Sequence, residues 1–190
     1  MMKYILQFLL CTSIIACNGN KNNKEITASS KDNPQSVQNY FPVTPFIKGQ
    51  LYDFKARGIS PLKYTTIHGK TDSVWLKQEE VEGALSEFLQ PSIDSVNMIS
   101  LFSEKKFLDQ TIAAYTYTYE PKIALPDSIS ISRWDVLIDQ ESSKVRRIYL
   151  VKELPDHKIL QLIWQADKWC KIISIINSQV EKEIKISWEY

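Results

Sequence analysis

From Gln110 to the C-terminus, apolar and polar residues alternate with a period of two, the spacing that sends successive side chains to opposite faces of a β-strand. Ala113, Tyr115, Tyr117 and Tyr119 fall in one phase, and Ile112, Ala114, Thr116 and Thr118 in the other. Across 128–139 the phase slips: Ile129 and Ile131 run against Trp134, Val136 and Ile138. A bulge near Ser132-Arg133 restores the alternation. Further strands are predicted over 145–152, 158–165, 168–176 and 180–190. Their connections are too short for crossover helices, so neighbours run antiparallel. In the last strand Ile184, Ile186, Trp188 and Tyr190 face one way, and Glu183, Lys185, Ser187 and Glu189 the other. That pattern gives one packed face and one wet face. The 158–165 strand differs, with Ile159 and Ile163 on one face and Leu160, Leu162 and Trp164 on the other. Apolar on both sides, it is expected at the centre of the sheet with a helix over one face.

The first half of the chain is read in shorter pieces. Lys77 to Leu89 has helical spacing: Val81, Ala84, Leu85 and Phe88 share a face, Gln78, Glu79 and Glu80 suit the N-terminus, and Pro91 ends it. A second, shorter helical stretch is expected within 93–107, carrying Ile99, Leu101 and Phe102. Leu62 to His68 reads as a strand, Gly69 to Asp72 as a turn, and Ser73 to Leu76 as a short return strand. Phe46 to Lys55 fits a short helix or a strand, and Tyr40 to Phe46 is expected to be extended by its prolines. The fold class is α+β: a curved antiparallel sheet of about five to seven strands, ending in a C-terminal meander and packed by one or two helices.

Ahead of this domain, Asn18 to Gln38 is rich in Asn, Lys and Ser and almost free of large apolar side chains. Such a segment buries too little surface to offset its ordering entropy. It reads as a flexible tether over 17–45, leaving 46–190 as one domain. About 25 coil residues reach roughly 25–30 Å.

The first residues carry their own pattern. Lys3 precedes an apolar run from Ile5 to Ile15, interrupted by Gln7, Thr12 and Ser13. This is the length of a signal-peptide core, short of the roughly 20 apolar residues that span a bilayer. Ser13-Ile14-Ile15-Ala16-Cys17 resembles the lipobox of bacterial lipoproteins. The resemblance implies a signal peptide at 1–16 cut between Ala16 and Cys17, a diacylglyceryl thioether on Cys17, and a further acyl chain, of the palmitate type, on the new amine. Several chains anchor stably where one is marginal. The bland alternative is an ordinary secretory signal in which Cys17 is incidental. Asn18 stands where the enteric sorting rule has Asp for inner-membrane retention, which implies the outer membrane. Asn18-Gly19-Asn20-Lys21 lacks the acidic cluster of surface-exported lipoproteins in Bacteroidota, whose small lipoproteins the Ile-, Lys- and Asn-rich style resembles. The periplasmic face is therefore favoured over the cell surface.

Removing Lys3 with the signal leaves 22 basic residues of 23, against 22 acidic. Balanced charge without a basic stripe argues against nucleic acid as a partner. With Cys17 acylated, Cys170 has no partner within the chain, so stability rests on a packed core rather than a disulfide. Five Trp, nine Tyr and seven Phe make such a core plausible.

Catalytic and metal-binding patterns are sparse. His68 and His157 sit in turns without metal-ligand spacing, so no metal and no cofactor is expected. Cys170 lies between Trp169 and Lys171 inside a strand and reads as a core thiol. Five glycines, with no Gly-x-Ser-x-Gly among them, leave no nucleophile elbow and no phosphate loop. Asp135 and Asp139 read as strand-end carboxylates rather than a cation site, and Lys144, Arg146 and Arg147 as a solvated hairpin. The stripe Tyr115, Tyr117 and Tyr119 reads first as packing with hydroxyls at the rim; exposed on a concave sheet, it would be a binding platform for a glycan, lipid or protein. Trp134 to Val145 resembles the strand-turn-strand signature of PepSY-type domains, with Ser143 at the usual glycine, which implies an envelope α+β binding fold.

The expected function is thus a lipid-anchored envelope protein, not an enzyme, whose domain binds an envelope partner or is structural. The alternative is a carrier, comparable in role to the outer-membrane acceptors of lipoproteins, holding a lipid or other hydrophobe in a sheet-lined cavity. A hydrolase using His68, His157 or Cys170 would need each near a carboxylate in a cleft.

Overall fold

The computed structural model describes residues 40–94, 96–98 and 100–189. The expected signal peptide, its expected cleavage site at Ala16 and Cys17, and the expected tether up to residue 39 lie outside the described residues.

In chain order, α1 (Val43–Ala56) leads into the hairpin β1 (Leu62–Ile67) and β2 (Lys70–Trp75). Next come α2 (Gln78–Ala84) and α3 (Ser86–Leu89). Seven strands follow without a break: β3 (Phe102–Asp109), β4 (Ala114–Pro121), β5 (Ile131–Asp139), β6 (Val145–Leu154), β7 (Lys158–Gln165), β8 (Trp169–Ile176) and β9 (Gln179–Ser187). All nine form one antiparallel sheet in the order β2-β1-β9-β8-β7-β6-β5-β4-β3. The α+β class stands, with nine strands rather than five to seven.

Paired residues in an antiparallel sheet share a face. One row therefore runs Tyr119, Trp134, Leu150, Leu162, Ile172, Ile184, and the next Tyr117, Val136, Ile148, Trp164, Cys170, Ile186. This face meets Val43, Ile47, Leu51 and Phe54 of α1, Val81 and Leu85 of the α2 segment, and Phe88 and Leu89 of α3 in one core. The opposite face carries Thr118, Asp135, Tyr149, Ile163, Lys171 and Lys185 in register, all half-buried. β7 is the fifth of nine strands, as its two apolar faces require, and Phe88 packs on Trp164 at 5.4 Å.

Four boundaries differ from the sequence reading. The 93–107 segment is not a second helix: Phe102–Asp109 is the edge strand β3, and its partner β4 supplies the ladder. The 77–89 helix breaks at Leu85, whose φ of −107° and ψ of 8° leave the helical region. The return strand begins at Lys70, because His68 and Gly69 alone turn the chain with φ of 48° and 76°. Two positive φ values match the twist of a two-residue hairpin. Finally, the domain does not start at residue 46. Tyr40 is 1% exposed, stands 5.0 Å from Tyr119 and 6.4 Å from Trp134, and donates its hydroxyl proton to the Phe102 carbonyl.

The undecided segment 46–55 is helical, within α1. Val43, Ile47, Leu51 and Phe54 repeat at helical spacing on its buried face. Pro45 falls in the first turn, where no intrahelical donor is lost. At the other end Gly58, with φ of 66°, lets the Ile59 amide reach back to the Phe54 carbonyl. The predicted bulge is present: Ile131 pairs with Lys152 and Arg133 with Val151, leaving Ser132 unpaired.

Candidate functional site

α1 and α2 do not close completely on the sheet. Between them and the strands lies a half-open cleft of about 340 Å³. Its walls are Leu51 and Phe54 of α1, Val81 and Leu85 beyond it, and Trp164, Ile186 and Trp188 below. The ring of Trp188 stands 5.8 Å from Phe54 and 5.1 Å from Trp164. Phe54, Trp164 and Trp188 are each at most 8% exposed, so the walls are fixed by core packing.

The mouth is polar. Gln50 and Asp53 come from α1, Arg57 caps its C-terminal end, and Asp167 comes from the β7–β8 turn. Gln50 and Asp167 hold each other: Gln50 Nε2 donates to Asp167 Oδ1 at 3.1 Å, and the Asp167 amide donates to Gln50 Oε1 at 3.1 Å. On the α2 side Lys55 pairs with Glu82 at 3.1 Å. The N-terminal end of α1 is pinned inside the core, where Thr44 and Ile93 exchange two hydrogen bonds of 3.0 and 2.9 Å.

The tyrosine stripe does not make one exposed platform. Tyr119 is buried, stacked at 4.7 Å on Trp134, and its hydroxyl accepts the Phe41 amide at 3.2 Å. Burial pushes that hydroxyl's pKa up. Tyr115 and Tyr117 are half-buried at the rim, and the Lys106 ammonium sits 4.1 and 5.2 Å from their ring centres.

The other candidates lie apart. His68 is in the β1–β2 turn and His157 in the β6–β7 turn, both with positive φ. Cys170 is fully buried in β8, and burial raises its thiol pKa. Among the described residues none of the three makes a hydrogen bond or ion pair with a carboxylate. Asp135 pairs with Arg133 at 3.2 Å and accepts from the Thr118 hydroxyl at 2.6 Å. Asp139 instead closes the β5–β6 turn, accepting the Ser142 amide at 2.7 Å and the Glu141 amide at 3.0 Å, and pairs with Arg146. Trp134 to Val145 is thus a hairpin whose turn is organised by Asp139. Among the described residues no group of three or more His, Cys, Asp or Glu is placed to hold a metal ion, and no helix is long and apolar enough to cross a membrane.

No protein-family model, no curated protein and no solved structure matches the chain.

The cleft was missed by sequence reasoning because its lining comes from five separated segments. One signal was available: Trp164 and Trp188 both fall in the inward phase of their strands, next to a predicted helix.

Proposed function

We propose that the chain is a lipid-anchored protein of the cell envelope, tied to the bilayer through Cys17, whose domain holds a small, mostly apolar ligand without catalysis. The observation that carries this reading is the cleft. It is concave, aromatic-walled and rimmed by a few polar groups, and its volume lies at the lower end of small-molecule sites.

That volume bounds the cargo. At about 30 Å³ for each water-sized group, 340 Å³ holds about a dozen non-hydrogen atoms. A protein carrying three acyl chains is far larger, so such cargo would require α1 to leave the sheet. The reading is therefore a binder of one small ligand, on the periplasmic side of the outer membrane. A second reading, docking of an envelope protein, draws on the half-buried apolar residues of the sheet face opposite the helices, among them Tyr149, Ile163 and Ile173.

Native mass spectrometry of the full chain, released from its own membrane, tests both anchor and ligand. The expected polypeptide begins at Cys17 with added acyl mass and carries a small bound species. Ala56 lines the mouth and is exposed, so Ala56→Trp blocks entry without touching the core. The bound species should disappear in that variant while the melting temperature stays. An unmodified Cys17 removes the anchor, and an empty wild-type protein removes the cleft reading.

A further inference from the structure

The charge at the mouth of the cleft selects its ligand. Two of the four polar residues there are carboxylates, Asp53 and Asp167, and only Arg57 is cationic. The neighbouring charges cancel in pairs: Lys55 with Glu82 at 3.1 Å, and Lys168 with Glu189 at 3.0 Å. Among the described residues the side chain of Asp167 bonds only to the neutral Gln50 amide. Among the described residues Asp53 and Arg57 form no ion pair within 4.0 Å, with each other or with any other side chain. The mouth residues thus carry one net negative charge, and Phe54, Trp164 and Trp188 line the same cleft.

Aromatic rings and carboxylates attract the same kind of group. An organic ammonium gains from the ring quadrupole and from the negative charge, whereas a carboxylate ligand meets both as repulsion. On the reading of the cleft as a ligand site, we infer that its ligand is a hydrophobic organic cation: one ring or one short chain in the cleft, with an ammonium at the mouth beside Asp53 and Asp167. Arg57, four residues after Asp53 at the C-terminal cap of α1, opposes this preference and limits its size.

Three probes of matched length separate the possibilities: 4-phenylbutylammonium, 4-phenylbutanol and 4-phenylbutyrate. Each is titrated calorimetrically into the full chain held in lipid nanodiscs, with empty nanodiscs subtracted. Exposed charge pairs change affinity by up to about fivefold each, so the ammonium should bind on the order of tenfold more tightly than the carboxylate, with the alcohol between. Asp53→Asn should narrow that gap, and Arg57→Gln should widen it. Both residues are exposed, so neither change threatens the fold. Equal affinities, an anion preference, or a gap untouched by Asp53→Asn would overturn the cation assignment while leaving the cleft as a ligand site. Failure of all three probes to bind would remove the cleft reading, and the assignment with it.

Discussion

Lys152 is 3% exposed on the helix-facing side of β6, and its ammonium lies 2.8 Å from Glu87 of α3. A buried ammonium is costly unless paired, and removing one partner leaves the other charge stranded. Glu87 remains 44% exposed, so water softens the loss, and Glu87→Gln should cost about 1–2 kcal/mol. Lys152→Met keeps the length and removes the charge, and should fall within about 1 kcal/mol of wild type or be more stable. Urea midpoints at unchanged slope check both. The signal was in the strand period: Ile148, Leu150 and Lys152 share a phase, so a lysine was aimed inward. Its partner was not legible, because Glu87 lies sixty-five positions away on a helix whose rotation only packing decides.

Asp139 makes a different residue-scale prediction. Amide and hydroxyl bonds from Ser142, and then the Arg146 guanidinium, hold its carboxyl well below the usual carboxylate range. A depressed folded-state pKa contributes stability above the unfolded value of about 4, and this is lost as pH falls toward the folded value. The melting-temperature difference between wild type and Asp139→Asn should therefore be full above about pH 5 and shrink steadily toward pH 2. A difference independent of pH would mean that the turn needs only the side chain's shape.

At the scale of elements, legibility followed burial. β7, paired on both sides and apolar on both faces, was placed with the correct bounds from its sequence alone. β3 was mistaken for helix because Phe102–Asp109 does not alternate; its middle, Glu104 to Phe107, is exposed throughout. That is the character of an edge strand, where charged residues discourage pairing with another chain. β2 forms the other edge and is exposed along its whole length. Hydrogen exchange should reproduce this gradient, with the slowest amides in β6, β7 and β8 and early exchange in β2. Uniform protection across the sheet would contradict it. The break at Leu85 was equally hidden, since Val81, Leu85 and Phe88 satisfy helical spacing whether or not the helix is continuous.

At the scale of the molecule, every strand from β3 to β8 lies beside its successor in the chain, so most of the sheet is local. One ladder is not: β1 joins the sheet only through β9, with Leu62 opposite Ser187 and Ile67 opposite Lys182. Bringing such distant segments together carries a loop-closure cost that local hairpins avoid. The ninth strand is thus the one that seats the first. A polypeptide shortened before Gln179 would forfeit more than one strand's worth of structure, since the hairpin from Leu62 to Trp75 would have nothing to dock on. Ile186 and Trp188, which floor the cleft, would go with it, so the seat of the first hairpin and the floor of the cleft come down to the same few residues.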